Sequence, residues 1–402
     1  MKKMSIGLRM ILMIGCCGAL AIFSSTISKS PILPIFAAEL GASGTQIGLI
    51  ASMSTIPGIL ISYIAGDMAD RYGYKKILIA SLLIFASAPF LYLVVQDPMQ
   101  LGAARFYHGF ATAAFGPVAM ATIAAFSGKN TGQNLSIYSS ATMVGRALAP
   151  MVGGSAYEFG GHVSVYLIAG VAGILALALA FWFFRKPGET EDKSAAKITK
   201  DQTEKVSFFK KLWGLLSYKP LLFVGILDAC VYFAYGAFEM IFPLYAKQLN
   251  MSSGLIGTLL SIQLVGVILL KPFFGRASDK LGRLPMMITG LLVCAVSFFL
   301  VAAVKSVYIL APLIILYGLG FALITASTSA LAADVAKDGA KGASLGILST
   351  LMDVGQTLGP PVIGGISDTY SYTAGISVLG VVLLLAALSC VIWHLKRKTV
   401  KA

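Results

Sequence analysis

Apolar residues come in runs separated by short polar breaks, at approximately 9–37, 45–65, 77–95, 99–126, 134–157, 163–184, 219–245, 253–274, 285–304, 306–333, 342–366 and 373–395. A bilayer-spanning helix needs about 20 mostly apolar residues. In lipid only helices or closed barrels satisfy every backbone group, and runs of this length read as helices. The pattern therefore predicts an all-α membrane protein of twelve transmembrane helices. One long polar segment, 185–218, interrupts it and divides the spans six and six. The expected organisation is an N-terminal bundle at 1–184, a linker at 185–218 and a C-terminal bundle at 219–402. Inside the linker, Val206-Ser207-Phe208-Phe209-Lys210-Lys211-Leu212-Trp213 has the pattern of a short amphipathic helix on the membrane surface.

Composition agrees with that reading. Of 402 residues, 57% are hydrophobic and 12% charged, against about 45–50% and about 25% in soluble domains. Disordered chains, nucleic-acid-binding modules and secreted disulfide scaffolds are excluded by the same figures. The net charge of +14 is topological: 25 of the 31 Lys and Arg residues fall at the N-terminus and in alternate connections. The opposite connections hold only Lys247 and Lys305. That asymmetry places both termini in the cytoplasm of a cell (plasma or inner) membrane protein. Met1-Lys2-Lys3 and Arg9 resemble the start of a signal peptide, but the apolar run continues to about Phe36, so a retained first span is expected. The five cysteines lie inside apolar runs and read as small packing residues.

The two halves repeat. Pro34-Ile35-Phe36-Ala37 aligns with Pro243-Leu244-Tyr245-Ala246, and Gly48 with Gly257, at a constant offset. Gly66, Asp70 and Gly73 align with Gly275, Asp279 and Gly282, and Gly109 with Gly318. Gly153-Gly154 matches Gly364-Gly365 at a slightly longer offset. Parallel repeats of six spans are a transporter architecture.

The loop Gly66-Asp67-Met68-Ala69-Asp70-Arg71-Tyr72-Gly73-Tyr74-Lys75-Lys76 resembles the signature of the major facilitator superfamily between its second and third spans. Gly275-Arg276-Ala277-Ser278-Asp279-Lys280-Leu281-Gly282-Arg283 is the second-half copy. The glycines permit a tight turn, and the aspartates can face a helix N-terminus or a cation. Gly66, Asp70, Arg71, Gly73, Gly275, Asp279, Gly282 and Arg283 are thus expected to form the cytoplasmic gating loops. Arg105-Phe106-Tyr107-His108-Gly109 resembles the fourth-span motif of proton-coupled members, with His108 where glutamine is usual. The resemblance implies a part for Arg105 in proton coupling, and His108 beside it titrates near neutrality when unperturbed. Gly145-Arg146-Ala147-Leu148-Ala149-Pro150-Met151-Val152-Gly153-Gly154 is similar to the antiporter signature of drug:proton antiporters. Ala149 stands in place of a glycine there, and Arg146 is an unusual cation. Gly145, Ala149 and Gly153 form a small-residue face for close helix approach, and Pro150 supplies a bend. What the resemblance implies is two pseudo-symmetric six-helix bundles, the major facilitator fold, working by alternating access.

Charges inside the spans cost about 2.5–3.5 kcal/mol each on insertion scales, so each is a functional hypothesis. On span 7, Asp228, Tyr232, Tyr235 and Glu239 share one helical face. Such a face offers carboxylates and π surfaces to a cationic, amphipathic ligand. By the repeat, Glu239 aligns beside Lys29, and a Lys29–Glu239 gate is the expected pairing. On span 11, Ser349, Asp353 and Gln356 share a face, and desolvation favours the neutral form of a carboxyl, which makes Asp353 a proton carrier. Arg146 stays charged and is read either as a partner of Asp353 or Asp228 or as a ligand for an anionic group. Lys271, near a span end, is read as a snorkelling cation.

No phosphate-binding loop, metal-ligand cluster or nucleophile elbow occurs in the sequence. The expectation is therefore not an enzyme but a secondary transporter without cofactor or metal, driven by the proton gradient. It would export amphipathic or cationic small molecules. Its partners are a small-molecule substrate, protons and the lipid bilayer, with no nucleic acid. The pattern sets no oligomeric state, a monomer being one option. Transport of an organic anion or other metabolite through Lys29 and Arg146 is the alternative within the class. A non-transporting membrane sensor on the same fold is the alternative outside it.

Overall fold

The computed structural model describes residues 6–59, 68–69, 71–127, 130–184, 218–335 and 341–399. Among these every regular element is helical. The helices are α1 (Ile6–Ile27), α2 (Ile32–Glu39), α3 (Gly44–Ser52), α4 (Tyr74–Leu91), α5 (Pro98–Ser127), α6 (Thr131–Phe184), α7 (Lys219–Gln248), α8 (Ser253–Leu281), α9 (Arg283–Ala303), α10 (Val307–Val335), α11 (Lys341–Thr369) and α12 (Tyr372–Thr399). Nine helical stretches among the described residues are long and apolar enough to cross a membrane. One of them, α6, is two helices meeting at Gly160 and Gly161, where Gly161 takes φ +61°. The expected span 45–65 overlaps residues outside the described set. Gly66, Asp70 and the amphipathic segment 206–213 also lie outside it.

Local chemistry explains where helices start and break. The first apolar run is one span by pattern but two helices in the structure, interrupted between Ile27 and Ile32. Pro31 has no N–H to donate there, and the Ser28 hydroxyl bonds back to the Ser24 carbonyl at 2.7 Å. Ser252 caps α8 by accepting from the Leu255 N–H at 3.2 Å. Pro220 sits in the first turn of α7, where its missing donor costs nothing.

The chain divides into two compact units. One comprises Met1–Gly41 with Met53–Lys205, the other Ala42–Ser52 with Val206–Ala402. In the first, Met10, Ile14, Leu82, Phe85, Phe115 and Ala119 form a buried core. In the second, Phe238 packs on Phe242, Phe298 and Tyr317 with ring centroids about 5 Å apart. Large apolar side chains such as Trp182 and Leu269 are more than 60% exposed. That surface suits lipid and not water, and the protein is a multi-pass membrane protein.

The sequence repeat reappears as repeated packing. A Cβ on Gly145 of α6 would collide with the Ala19 carbonyl oxygen of α1, and one on Gly355 of α11 with that of Ala229 on α7. Gly109 of α5 lies against Ser54 as Gly318 of α10 lies against Gln263 of α8. Gly73 and Gly282, paired by the repeat, take φ +91° and +95° at the N-termini of α4 and α9. Side chains rarely adopt that conformation, which is why glycine stands at both.

Within the second unit, α3 docks on the end of α11. The Asp368 carboxylate accepts from the Gly44 and Thr45 backbone N–H groups at 2.5 and 2.8 Å and from the Thr45 hydroxyl at 2.8 Å. These bonds outweigh the opposing effect of partial burial, so the Asp368 carboxyl lies below the usual carboxylate range. Gly44 against Gly364, and Gly48 against Pro360, approach too closely for a Cβ. The Ser52 hydroxyl donates to the Thr357 carbonyl at 2.6 Å.

Candidate functional site

In the second unit the acidic–aromatic face of α7 turns inward. Asp228 and Tyr235 are buried, while Tyr232 and Glu239 are half-buried. The Tyr235 hydroxyl donates to Glu239 Oε1 at 2.6 Å, the geometry of a charge-assisted bond. Phe321 of α10 completes an aromatic wall. It stacks on Tyr235 at 4.9 Å and 19°, and meets Tyr232 edge-on at 5.7 Å. Tyr317, one turn earlier, adjoins Phe321 at 6.1 Å. The sequence reading missed Tyr317 and Phe321, although their spacing of four on an apolar span was the available signal.

α11 supplies the remaining groups. A Cβ on Gly236 would touch the backbone and side chain of Gln356, so Gln356 packs beside the Tyr235–Glu239 pair. Leu351 lies against Gly225, Gly355 against Ala229 and Gly359 against Phe233. The two helices therefore advance in parallel and in step, which sets Asp353 level with Asp228. Asp353 is half-buried and makes no ion pair among the described residues. Asp228 interacts electrostatically with Lys271 of α8, beyond direct ion-pair distance. Lys271 is thus the cation that offsets Asp228, a role that its place near a span end concealed.

In the first unit, Arg105 and His108 are both 1% exposed on one face of α5. Arg105 Nη2 donates to the Ser54 hydroxyl at 2.6 Å, and the Tyr92 hydroxyl meets His108 Nδ1 at 3.3 Å. Lys29 is half-buried at the break between α1 and α2, and Arg146 is exposed on α6. Ala149, Pro150, Gly153 and Gly154 are buried, with Gly153 against the Ile27 side chain. Of the first loop expected to gate, Arg71 and Gly73 are among the described residues. Arg283 pairs with Asp279, bonds Asp334 at 3.2 Å and donates to the Ser278 hydroxyl at 2.7 Å. Burial alone would lower the Arg283 pKa, but its bonds to Asp334 and Asp279 raise it above the ordinary value. Gly275 has open space around its Cβ position. No His, Cys, Asp or Glu cluster among the described residues could hold a metal ion.

The repeated packing and the paired turn glycines agree with family comparison. The model of the Major Facilitator Superfamily matches residues 14–252 and 224–402. The chain belongs to the major facilitator superfamily. It is therefore a transporter and not an enzyme. The quinolone resistance protein NorA of Staphylococcus aureus is 24% identical over 372 residues, covering 88% of this chain and 90% of that protein. A multi-drug resistance efflux pump PmrA homologue of Lactococcus lactis is 26% identical over 375 residues, covering 89% and 88%. An uncharacterised MFS-type transporter of Methanocaldococcus jannaschii is 24% identical, covering 87% and 91%. Among solved structures, the nucleoside transporter NupG superposes with a TM-score of 0.78 at 16% identity, over 97% of this chain and 99% of that one. That likeness carries the all-α major facilitator fold.

Proposed function

We propose that this transporter exports amphipathic or cationic small molecules in exchange for protons, with both termini in the cytoplasm. The observation that carries the reading is the wall of Tyr232, Tyr235 and Phe321 with Glu239 bonded into it. Aromatic faces attract a lipophilic cation through their quadrupoles, and a carboxylate completes the charge match. NorA and the PmrA homologue, by their names, resist quinolones and pump several drugs, which supports the same direction and substrate breadth.

The coupling we propose is competition. A proton arriving on Asp353, Asp228 or Glu239 removes the negative charge that holds a cation, and a bound cation disfavours the proton to the same extent. Asp353 and Asp228, level on neighbouring helices, are the proton-carrier candidates. Glu239, Gln356 and the tyrosines are the ligand contacts. Arg105 and His108 modulate from the first unit, as the family resemblance implies. Lys29 and Arg146 complete the substrate candidates. The turns at Gly73 and Gly282 serve alternating access.

Binding in detergent tests this reading. A fluorescent lipophilic cation should bind the wild type, release at least one proton per molecule bound, and bind at least tenfold more weakly to Glu239→Gln and Phe321→Ala. Equal binding by all three proteins contradicts the assignment. Preferential binding of an organic anion, lost in Arg146→Ala, replaces it with anion transport.

A further inference from the structure

We propose that the first unit holds a small monovalent anion, of chloride size, at a buried site made by Arg105, His108, Tyr92 and Tyr166. Arg105 is a full positive charge at 1% exposure, and no carboxylate among the described residues lies within ion-pair distance of it. Its Nη2 is used by Ser54 and the Tyr92 hydroxyl lies within reach of the guanidinium, but Nε and Nη1 have no acceptor in good hydrogen-bond geometry. His108, one turn on, turns Nδ1 to the Tyr92 hydroxyl and leaves Nε2 without a partner. Tyr166 lies stacked on Tyr92 with centroids 4.5 Å apart and planes 15° apart, and its buried hydroxyl is also unmet. Four polar atoms on three neighbouring, fully buried side chains thus lack partners, in a setting otherwise closed by Phe85 edge-on to His108.

The chemistry of the unmet atoms selects the ligand. In the tautomer whose Nδ1 accepts from the Tyr92 O–H, the imidazole proton sits on Nε2; the unmet guanidinium and imidazole atoms are then pure donors, and the Tyr166 hydroxyl can donate as well. Water would have to donate in turn and would leave the charge unbalanced. An anion can accept from donors of this kind and supplies the counter-charge that a buried guanidinium requires. The acid that acts on this cluster electrostatically is Glu39, through Tyr166. It is exposed and already accepts from the Tyr157 hydroxyl, so it does not fill the site. This inference does not depend on the exported substrate or on proton coupling.

The test uses the purified full-length protein in micelles, unfolded thermally in sodium chloride or in sodium gluconate at equal ionic strength. The wild type should be more stable in chloride, with a melting temperature that rises with chloride concentration. Tyr166→Phe, which keeps the ring stack and removes one donor, should weaken the apparent chloride affinity roughly tenfold, the worth of one hydrogen bond to a charged group. Arg105→Gln should abolish the chloride effect. Should that variant fail to fold, a bromide-soaked crystal of the wild type supplies the direct reading, as an anomalous peak against Arg105. Equal melting in the two salts overturns the proposal, as does chloride stabilisation that persists unchanged in Tyr166→Phe. Water density without bromide at Arg105 overturns it too.

Discussion

At the scale of single residues, the informative positions are charges that the fold has taken out of water. Asp228 has Lys271 as its offset, Glu239 has a tyrosine hydroxyl, and Asp353 has no ion-pair partner among the described residues. Lys271→Gln should therefore impair proton coupling while leaving binding of a lipophilic cation within about threefold, because it removes the neighbouring positive charge from Asp228 and leaves the Tyr232, Tyr235 and Phe321 wall in place. Transport against ligand-binding titrations would separate the two effects. Asp368 gives a pH prediction outside the spans. Its pKa is lowered by hydrogen bonds, so its contribution is present above the ordinary aspartate range and is lost as pH falls through the lowered value. Hydrogen exchange at Gly44 and Thr45 should lose its protection, relative to the intrinsic rate, as pH falls through that lowered value. In Asp368→Asn it should be fast at neutral pH, and equal protection in both proteins would contradict the cap. Its exposure limits the loss of stability to about 1 kcal/mol or less. None of this was legible at Asp368, because a cap supplied by a helix more than 300 residues away leaves no local pattern. The acidic–aromatic face of α7 was legible, since four residues at helical spacing are local information. Its partners Phe321 and Lys271 were not, because which helices adjoin is set by tertiary packing.

At the scale of elements, small residues decide how closely helices approach. Gly145 on α6 and Gly355 on α11 each meet a carbonyl of the neighbouring helix where a Cβ would stand. Gly355→Val should destabilise by about 1–3 kcal/mol or more through overpacking, read as a lower melting temperature. Gly266→Ala, where nothing lies within 4 Å, should change it little. Gly73→Ala and Gly282→Ala should each cost about 1–2 kcal/mol, because alanine resists the positive φ held at both turns. The repeat in the sequence announced Gly73 and Gly282, while the close approach at Gly355 came only with the structure. It did not announce that the first run breaks after Ile27, because hydropathy does not register a missing N–H at Pro31. Nor did it show that 42–52, continuous with the first half, groups with the second unit through α11.

At the scale of the whole molecule, hydropathy and loop charge carry the topology. Cysteines placed at Lys247 or Lys305 should react with a membrane-impermeant thiol reagent in intact cells, and one at Lys280 only after permeabilisation. The opposite pattern would invert the orientation read from Lys and Arg. Family membership makes the chain a transporter, and what it carries is the central claim. The most direct measurement is in reconstituted vesicles under an imposed pH gradient, following a cationic dye in wild type, Asp353→Asn and Glu239→Gln. The account predicts dye movement against its own gradient in the wild type, loss on dissipating the pH gradient, and loss in at least one carboxamide variant. Dye that stays put while an organic anion moves, with that movement abolished in Arg146→Ala, would contradict it.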